Sequence, residues 1–180
     1  TRFLFILTGY GRNHINISET IKVVFLQRSH PGVSYFCTVS KTKKKQWDHL
    51  KKKQKALLQQ CEVVTLTSIN KEGIPGRSLS KIKTEGLTTI WFATGNSSAK
   101  TKDFRSNPKA GICFYKEGNS VAMTGEVEVV SDTGTKKELW QDWFIIIFPK
   151  GPEDPEYILL KFRGNHATIW IDGQFVHRKV

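Results

Sequence analysis

Residues 77–104 of this 180-residue chain read RSLSKIKTEGLTTIWFATGNSSAKTKDF. The stretch predicts a strand, a tight Thr-Glu-Gly-Leu turn, a second strand, and a Gly-Asn-Ser-Ser loop that opens a short helix. Because successive side chains of a strand point to opposite faces, Arg77, Leu79 and Lys81 share one face of the first strand. The stretch therefore predicts a hairpin that leads directly into the N-terminus of a helix.

The start of this predicted helix has the features of an anion site. Ser97 or Ser98 can cap the helix, and Lys100 lies in its first turn. Free backbone N–H groups, a serine hydroxyl and a lysine can together bind a phosphate group. The same residues also fit an ordinary hairpin followed by a capped helix, so both alternatives remain open at this level.

Short β-branched or alternating segments lie on both sides of the hairpin. Gly125, in the middle of one of them, predicts a bulge or a close approach of two backbones. The predicted strands are 63–69, 77–83, 88–94, 110–115, 120–130, 157–162 and 167–171. Because most links between them are of hairpin length, we predict a mainly β fold, a small antiparallel barrel with helices over its openings.

Two amphipathic helices are predicted in addition to the short one. The first begins at Gln46, and the residues that recur on its mainly apolar face at helical spacing are Trp47, Leu50, Gln54, Leu57, Leu58 and Cys61. The second is capped by Ser131 or Asp132, and its apolar face consists of Leu139, Trp140, Trp143, Phe144 and Ile147. The two tryptophans fit either core packing or contact with a ligand or a partner chain.

The net charge of +12 is concentrated in the first third of the chain. Residues 1–60 contain twelve Lys and Arg against two acids, which gives +10, whereas residues 61–180 contain sixteen against fourteen acids, which gives +2. We therefore divide the chain into a basic N-terminal extension, 1–45, and a nearly neutral folded domain, 46–180. The basicity alone does not assign a function to that domain.

The cysteines and histidines predict no metal site. The three cysteines are far apart and form no Cys-x-x-Cys pair, and the five histidines lack metal-ligand spacing. An odd number of dispersed cysteines fits reduced thiols and a cytoplasmic location. No segment approaches the roughly 18 consecutive apolar residues of a membrane-spanning helix, so no membrane association is expected.

Three segments in sequence carry a family resemblance: IWFATGNSSAKTKDFRSNPKAGICFY at 90–115, SVAMTGEVEVVSD at 120–132, and ELWQDWF…FPKGPEDPEYILLKF at 138–162. They resemble the pyridoxamine 5′-phosphate oxidase-like flavoproteins, most closely their bacterial general-stress-protein branch. The resemblance covers residues 47–176. It implies a split β-barrel, a homodimer, and FMN bound in clefts at the dimer interface.

The resemblance also implies which residues hold FMN. The first cofactor segment falls on Arg77, Ser78 and Leu79. The second segment, along the isoalloxazine ring, falls on Phe92, Ala93 and Thr94, and the third, which faces the phosphate, falls on Ser98, Lys100 and Thr101. Lys81 joins this set because it shares the strand face of Arg77.

Two departures from the oxidases bear on activity. Their first segment has a lysine five residues after the arginine, where this chain has Ile82 and places Lys81 one residue short. Their C-terminal substrate-binding segment contains arginine and histidine in a pattern that KFRGNHATIW, at 161–170, does not match. Oxidation of pyridoxamine phosphate is therefore not implied, and no catalytic residue is assigned.

Three functions remain open. The first is an FMN-dependent oxidoreductase that passes hydride through flavin N5, from NAD(P)H or a small organic donor. The second is a stress protein that holds flavin, a deazaflavin or haem without turnover. The third is nucleic-acid binding by an OB-like barrel through the lysine run 41–55 and the aromatic residues Trp91, Phe92, Phe114 and Tyr115. The partition of charge disfavours the third function.

Overall fold

A computed structural model describes the backbone of residues 39–180 and the side chains from Lys45 onward. Its seven strands are β1 Val63–Thr67, β2 Gly76–Glu85, β3 Thr89–Gly95, β4 Lys109–Lys116, β5 Asn119–Val130, β6 Tyr157–Ile171 and β7 Gln174–Lys179. They form one antiparallel sheet in the order β3-β2-β1-β4-β5-β6-β7. β3 also pairs with β6, which closes the first six strands into a barrel. The predicted mainly β barrel is confirmed.

The helices of the described structure are α1 Val39–Gln60, α2 Ala99–Ser106, α3 Thr133–Glu138, and two 3₁₀ helices at Asp142–Ile146 and Gly151–Glu153. α1 begins seven residues before Gln46, where the sequence pattern first becomes helical. The predicted division of the chain at residue 45 stays a prediction. Over the described residues, no helix is long and apolar enough to cross a membrane.

The core of the barrel follows from the alternation of apolar and polar residues along its strands. In β5, Val121, Met123 and Val127 point inward and are buried, while the alternate residues Ala122, Thr124 and Glu126 are exposed. Leu50 and Leu58 of α1 join the same core, so the predicted apolar face of this helix does pack on the barrel. Removal of these side chains from water is the main stabilising contribution.

The prediction of two separate strands at 157–162 and 167–171 is wrong. They form one strand, β6. Its residues between Phe162 and Ala167 are polar or glycine, and all of them except Asn165 pair with β5. The chain then turns at Asp172 and Gly173 into β7. No pattern predicted β7 because it is an edge strand whose side chains, apart from the half-buried Val176, are all exposed.

The prediction for Gly125 is confirmed. The register between β5 and β6 shifts between Thr124 and Gly125, which is the signature of a bulge. A Cβ atom on Gly125 would overlap the backbone carbonyl of Arg163 on the neighbouring strand. Glycine is therefore required here by the close approach of two backbones.

The predicted second amphipathic helix is wrong beyond its first turns. Asp132 does cap α3, because its carboxylate accepts the backbone N–H of Thr135 at 2.8 Å. The helix ends at Glu138, however, and the aromatic residues continue in a 3₁₀ helix. Phe144 is buried, whereas Trp143 is 51% exposed. A 3₁₀ helix has three residues per turn, so Trp143 and Ile147 do not join the buried face that α-helical spacing predicted.

A second apolar cluster lies under this segment, outside the barrel core. It consists of Trp91, Leu139, Phe144, Phe148, Tyr157 and Leu159, with Trp140 packed against it. The rings of Trp140 and Tyr157 meet edge to face, with their centres 5.2 Å apart. Trp140 is thus a packing residue, as one of its two sequence interpretations proposed.

Candidate functional site

The barrel is split beside the predicted hairpin. β2 and β3 pair with each other only between residues 81–85 and 89–92. β2 also contains residues 76–80, which pair with β1, and β3 also contains residues 93–95, which pair with β6. Within the described structure these two segments do not pair with each other. Each therefore has a free edge whose backbone N–H and C=O groups can bind a ligand.

The two free edges carry most of the residues predicted to lie along a flavin ring. Ser78 and Leu79 belong to the β2 edge, and Ala93 and Thr94 belong to the β3 edge. The side chain of Ser78 is exposed, Leu79 packs on the barrel core, and Thr94 is buried. These segments therefore offer mainly backbone groups to a ligand.

Phe92 is placed differently from its neighbours in the predicted ring segment. Its side chain is fully buried in the barrel core. Its backbone pairs with Lys81 on one side and Leu160 on the other. Phe92 is therefore a core residue at the point where the split begins, and its side chain is not available to a ligand.

The start of α2 is held by side-chain hydroxyls. Ser98 occupies the N-cap position, but its hydroxyl forms no capping bond to a backbone N–H. Instead it lies 2.9 Å from the hydroxyl of Thr101, which donates to the carbonyl of Gly95 at 2.9 Å. Ser97 donates its backbone N–H and its hydroxyl to the Glu156 carboxylate, at 3.1 and 2.8 Å. Several N–H groups of the first turn consequently remain without a side-chain partner.

Arg77 and Lys100 bring two positive charges to this helix start. Burial lowers the pKa of Lys100, and the nearby charge of Arg77 lowers it further. Among the described residues, Lys100 forms no ion pair. A bound anion would relieve the repulsion between the two cations, which makes this the most favourable place for a phosphate group near the split.

Arg77 is fixed by a network that the sequence pattern did not reveal. Its guanidinium donates to the hydroxyl of Ser68 at 3.0 Å and to the carboxylate of Asp103 at 3.4 Å. Ser68 in turn donates to Asp103 at 2.6 Å, and Asn70 donates to it at 3.3 Å. The hydrogen bond from Ser68 is the main cause that lowers the pKa of Asp103. No local pattern indicates this network, because Asp103 lies 26 positions from Arg77 and 35 positions from Ser68 in the sequence.

The structure does not bring Lys81 to this group. Lys81 lies four positions after Arg77, which corresponds to about 13 Å along a strand. The ammonium group of Lys81 donates to the carbonyl of Gln59, near the end of α1, at 3.4 Å. The predicted set of cations therefore divides into Arg77 with Lys100 at α2, and Lys81 at the end of α1.

Three cavities of the described structure lie away from the predicted residues. One of about 450 Å³ is lined by Glu126, Glu128 and Arg163, together with their neighbours. Two others, of about 380 and 240 Å³, share Gly111 and Thr124 on the outer face of the sheet. None of them includes a residue of the split or of the α2 start.

Comparison with known proteins identifies the family. A model of the family described as "Pyridoxamine 5′-phosphate oxidase like" matches residues 38–177. The chain belongs to this family. No curated protein sequence matches the chain.

Solved structures of pyridoxamine 5′-phosphate oxidase-like proteins share the fold. A Clostridium acetobutylicum protein related to general stress protein 26 is 20% identical, with a TM-score of 0.67 over 74% of this chain and 96% of that chain. General stress protein 26 of Bacillus anthracis is 21% identical, with a TM-score of 0.60 over 72% and 99%. A Nostoc punctiforme protein described as pyridoxamine 5′-phosphate oxidase-related and FMN-binding is 16% identical, with a TM-score of 0.53 over 76% and 95%.

These similarities confirm the split-barrel fold that the three sequence segments implied. The family segment with Ser98 and Lys100 lies at the start of α2, and the segment with Arg77 lies on β2 beside it. In this pyridoxamine 5′-phosphate oxidase-like chain, the segment that departs from the oxidases lies on β6, where Arg163 forms an ion pair with Glu128 at 2.9 Å. His166 lies on the outer face of the sheet, opposite Thr124.

Proposed function

We propose that this chain is an FMN-binding flavoprotein that acts as an oxidoreductase. The observation that carries the proposal is the split between β2 and β3, which places two free strand edges beside the paired cations Arg77 and Lys100. A flavin mononucleotide has the matching parts, a flat ring with hydrogen-bonding edges and a phosphate dianion. Membership of the family and the FMN-binding relative in Nostoc punctiforme support the same choice of ligand.

Each part of the site has a role in this proposal. Arg77 and Lys100 would hold the phosphate through charge-assisted hydrogen bonds, with the hydroxyls of Ser98 and Thr101 and the N-terminus of α2 beside them. The backbone of residues 78–79 and 93–94 would hold the edge of the ring. When bound, the flavin supplies hydride transfer through N5, from NAD(P)H or a small organic donor. The chain itself supplies binding and orientation.

A second copy of the chain would complete the site. One cross-strand row on the outside of the sheet runs from Ser78 of the candidate site through Thr65, Cys113, Ala122 and Thr168 to His177. A second row contains Tyr115, Ser120, Trp170 and Phe175, of which Tyr115, Trp170 and Phe175 are 67%, 45% and 65% exposed. We call these two rows the uncharged face, because neither contains Lys, Arg, Asp or Glu.

The uncharged face supports a homodimer with FMN at its interface. Exposed aromatic residues without charged neighbours are typical of surfaces that a partner covers. Because Ser78 ends one of the rows, a chain packed on this face would also cover the open side of the split. A symmetric dimer uses the same face of both chains.

The other two functions considered from the sequence are nucleic-acid binding and flavin binding without turnover. Nucleic-acid binding is disfavoured because Trp91, Phe92 and Phe114 are buried, which leaves only Tyr115 of the proposed stacking residues exposed. A flavin-holding protein without turnover has the same site and differs only in kinetics. Steady-state consumption of NAD(P)H by the FMN-loaded protein distinguishes it from the oxidoreductase.

A cytoplasmic location stays a prediction.

The experiment that tests FMN binding is a titration of the purified protein, followed by flavin fluorescence and by absorption. We expect saturable binding that Lys100→Ala weakens by about ten- to hundredfold, the range of one charge-assisted contact. Lys102→Ala is the matched control, because Lys102 is exposed on the same helix. Absence of any spectral or thermal-stability change on addition of FMN would contradict the proposed function.

A further inference from the structure

We propose that Asp103 is a positioning residue for the phosphate site: together with Ser68 it fixes the guanidinium of Arg77 toward the phosphate of the bound flavin. This inference rests on the proposed function. It concerns a residue that the family segments did not place in the site.

The geometry first shows that Asp103 is anchored independently of Arg77. Its carboxylate accepts hydrogen bonds from Ser68 at 2.6 Å and from Asn70 at 3.3 Å, which are both shorter than its 3.4 Å contact with Arg77. Ser68 is fully buried. The carboxylate is therefore held by the loop that follows β1, whatever the position of the arginine side chain.

The arginine, in contrast, depends on this anchor. Among the described residues, the side chain of Arg77 donates hydrogen bonds to Asp103 and Ser68. Asp103 and Ser68 also form the shortest hydrogen bond of the network with each other. An arginine side chain that is not held in place has rotamer entropy to lose when it binds a ligand. Because the anchor holds the guanidinium in one orientation beforehand, less of this entropy is lost when the phosphate binds.

The same contacts would also allow Asp103 to weaken phosphate binding. A carboxylate beside a cation could compete with a phosphate for that cation, and would then weaken binding of the ligand. Geometry favours positioning over competition, because the contact between Arg77 and Asp103 is long and involves only one of the terminal guanidinium nitrogens. The guanidinium therefore retains N–H groups for a second anion.

The test compares FMN with riboflavin, which has the same ring and no phosphate. Asp103→Asn keeps the shape of the side chain and removes its charge. We expect this variant to lose about tenfold in FMN affinity and to keep riboflavin affinity within about twofold. Asp142→Asn is the matched control, because Asp142 is exposed in the 3₁₀ helix Asp142–Ile146 and does not belong to the network around Arg77. A purely structural defect would weaken both ligands equally.

A second variant keeps the test decisive if Asp103→Asn folds poorly, and a double variant checks that the effect acts through Arg77. Ser68→Ala removes the shared hydroxyl and leaves both charges in place, so it should also lower FMN affinity selectively. In an Arg77→Ala background, Asp103→Asn should cause no further loss, because no guanidinium is left to position.

The outcomes separate this inference from the proposed function. Wild-type binding of FMN with selective loss in Asp103→Asn supports the inference. Unchanged or tighter FMN binding by that variant overturns it and leaves FMN binding intact. Failure of the wild-type protein to bind FMN overturns both.

Discussion

The guanidinium of Arg178 in β7 lies 3.9 Å from the centre of the Trp47 ring in α1. This cation–π contact joins the edge strand that no sequence pattern predicted to the helix that covers the barrel core. The ammonium of Lys51 lies 5.3 Å from the centre of the same ring, so two cations lie near one indole.

We expect Arg178→Ala to lower the free energy of unfolding by about 0.5–1 kcal/mol, the range of a partly exposed cation–π contact. Chemical denaturation of the wild-type protein and the variant measures the difference. Lys179→Ala, next to it in the same strand, removes one positive charge without an aromatic contact and should change stability less. Equal effects of the two variants would show that the contact with Trp47 contributes nothing measurable.

Gly125→Ala should be strongly destabilising. Its new Cβ would overlap the carbonyl of Arg163, and neither backbone can move without disturbing the pairing of β5 with β6. We expect a loss of about 2–3 kcal/mol, typical of forced overpacking. The control is Gly76→Ala, whose Cβ would meet the methyl groups of Thr67 and Thr65 at 3.6 and 3.7 Å, an ordinary contact. A small effect of Gly125→Ala in denaturant titrations would contradict this account of the bulge.

The free energy of unfolding should fall at alkaline pH because of Tyr157. Burial raises the pKa of Tyr157 from its ordinary value of 10.0 to about 12. Because the pKa is higher in the folded chain, this contribution is fully present below pH 10 and is lost as the pH rises toward 12. The full loss corresponds to at most about 3 kcal/mol.

The phenylalanine variant isolates this effect. Relative to Tyr157→Phe, the wild-type protein should lose unfolding free energy progressively above pH 10 and show no such loss at neutral pH. Denaturation at several pH values measures both proteins. A constant difference across this pH range would mean that Tyr157 ionises as easily in the folded chain as in the unfolded one.

A charge placed on the uncharged face tests the proposed dimer. Ala122 is exposed in a single chain, so Ala122→Glu should leave the fold of the monomer intact. In a symmetric dimer through this face, the added carboxylates would be buried without partners, and we expect dissociation and a loss of FMN affinity. Light scattering and FMN titration measure the two effects.

The control for that experiment is Lys55→Glu, a charge change at an exposed position of α1. It should alter neither the molar mass nor FMN affinity. A dimer that persists in Ala122→Glu would exclude the uncharged face as the interface.

Part of the fold could be predicted because its signals are local. The hairpin of residues 77–94, its turn and the following helix depend on alternation, a glycine in the turn and a serine before the helix, all within a short window. The bulge at Gly125 also had a local signal. The continuity of β6 and the existence of β7 had none, because in both cases pairing with a neighbouring strand overrides the lack of an apolar pattern.

The residues of the candidate site also divide into those with a local sequence signal and those without one. The sequence placed Ser98, Lys100 and Thr101 at a helix start, and they lie there. It grouped Lys81 with Arg77 because they share a strand face, but the length of the strand and the end of α1 separate them. Asp103 and Ser68 were not recognised, because their contact joins residues 35 positions apart.

By itself, the sequence determined which segments alternate, where the hairpin turns and where a helix with a cation in its first turn begins, because backbone geometry and capping act between near neighbours. Only the tertiary structure decided that residues 76–80 of β2 and 93–95 of β3 do not pair with each other, which leaves two free edges beside Arg77 and Lys100. That separation arises because β1 and β6 each pair with the outer side of one of these strands and draw them apart as the barrel closes.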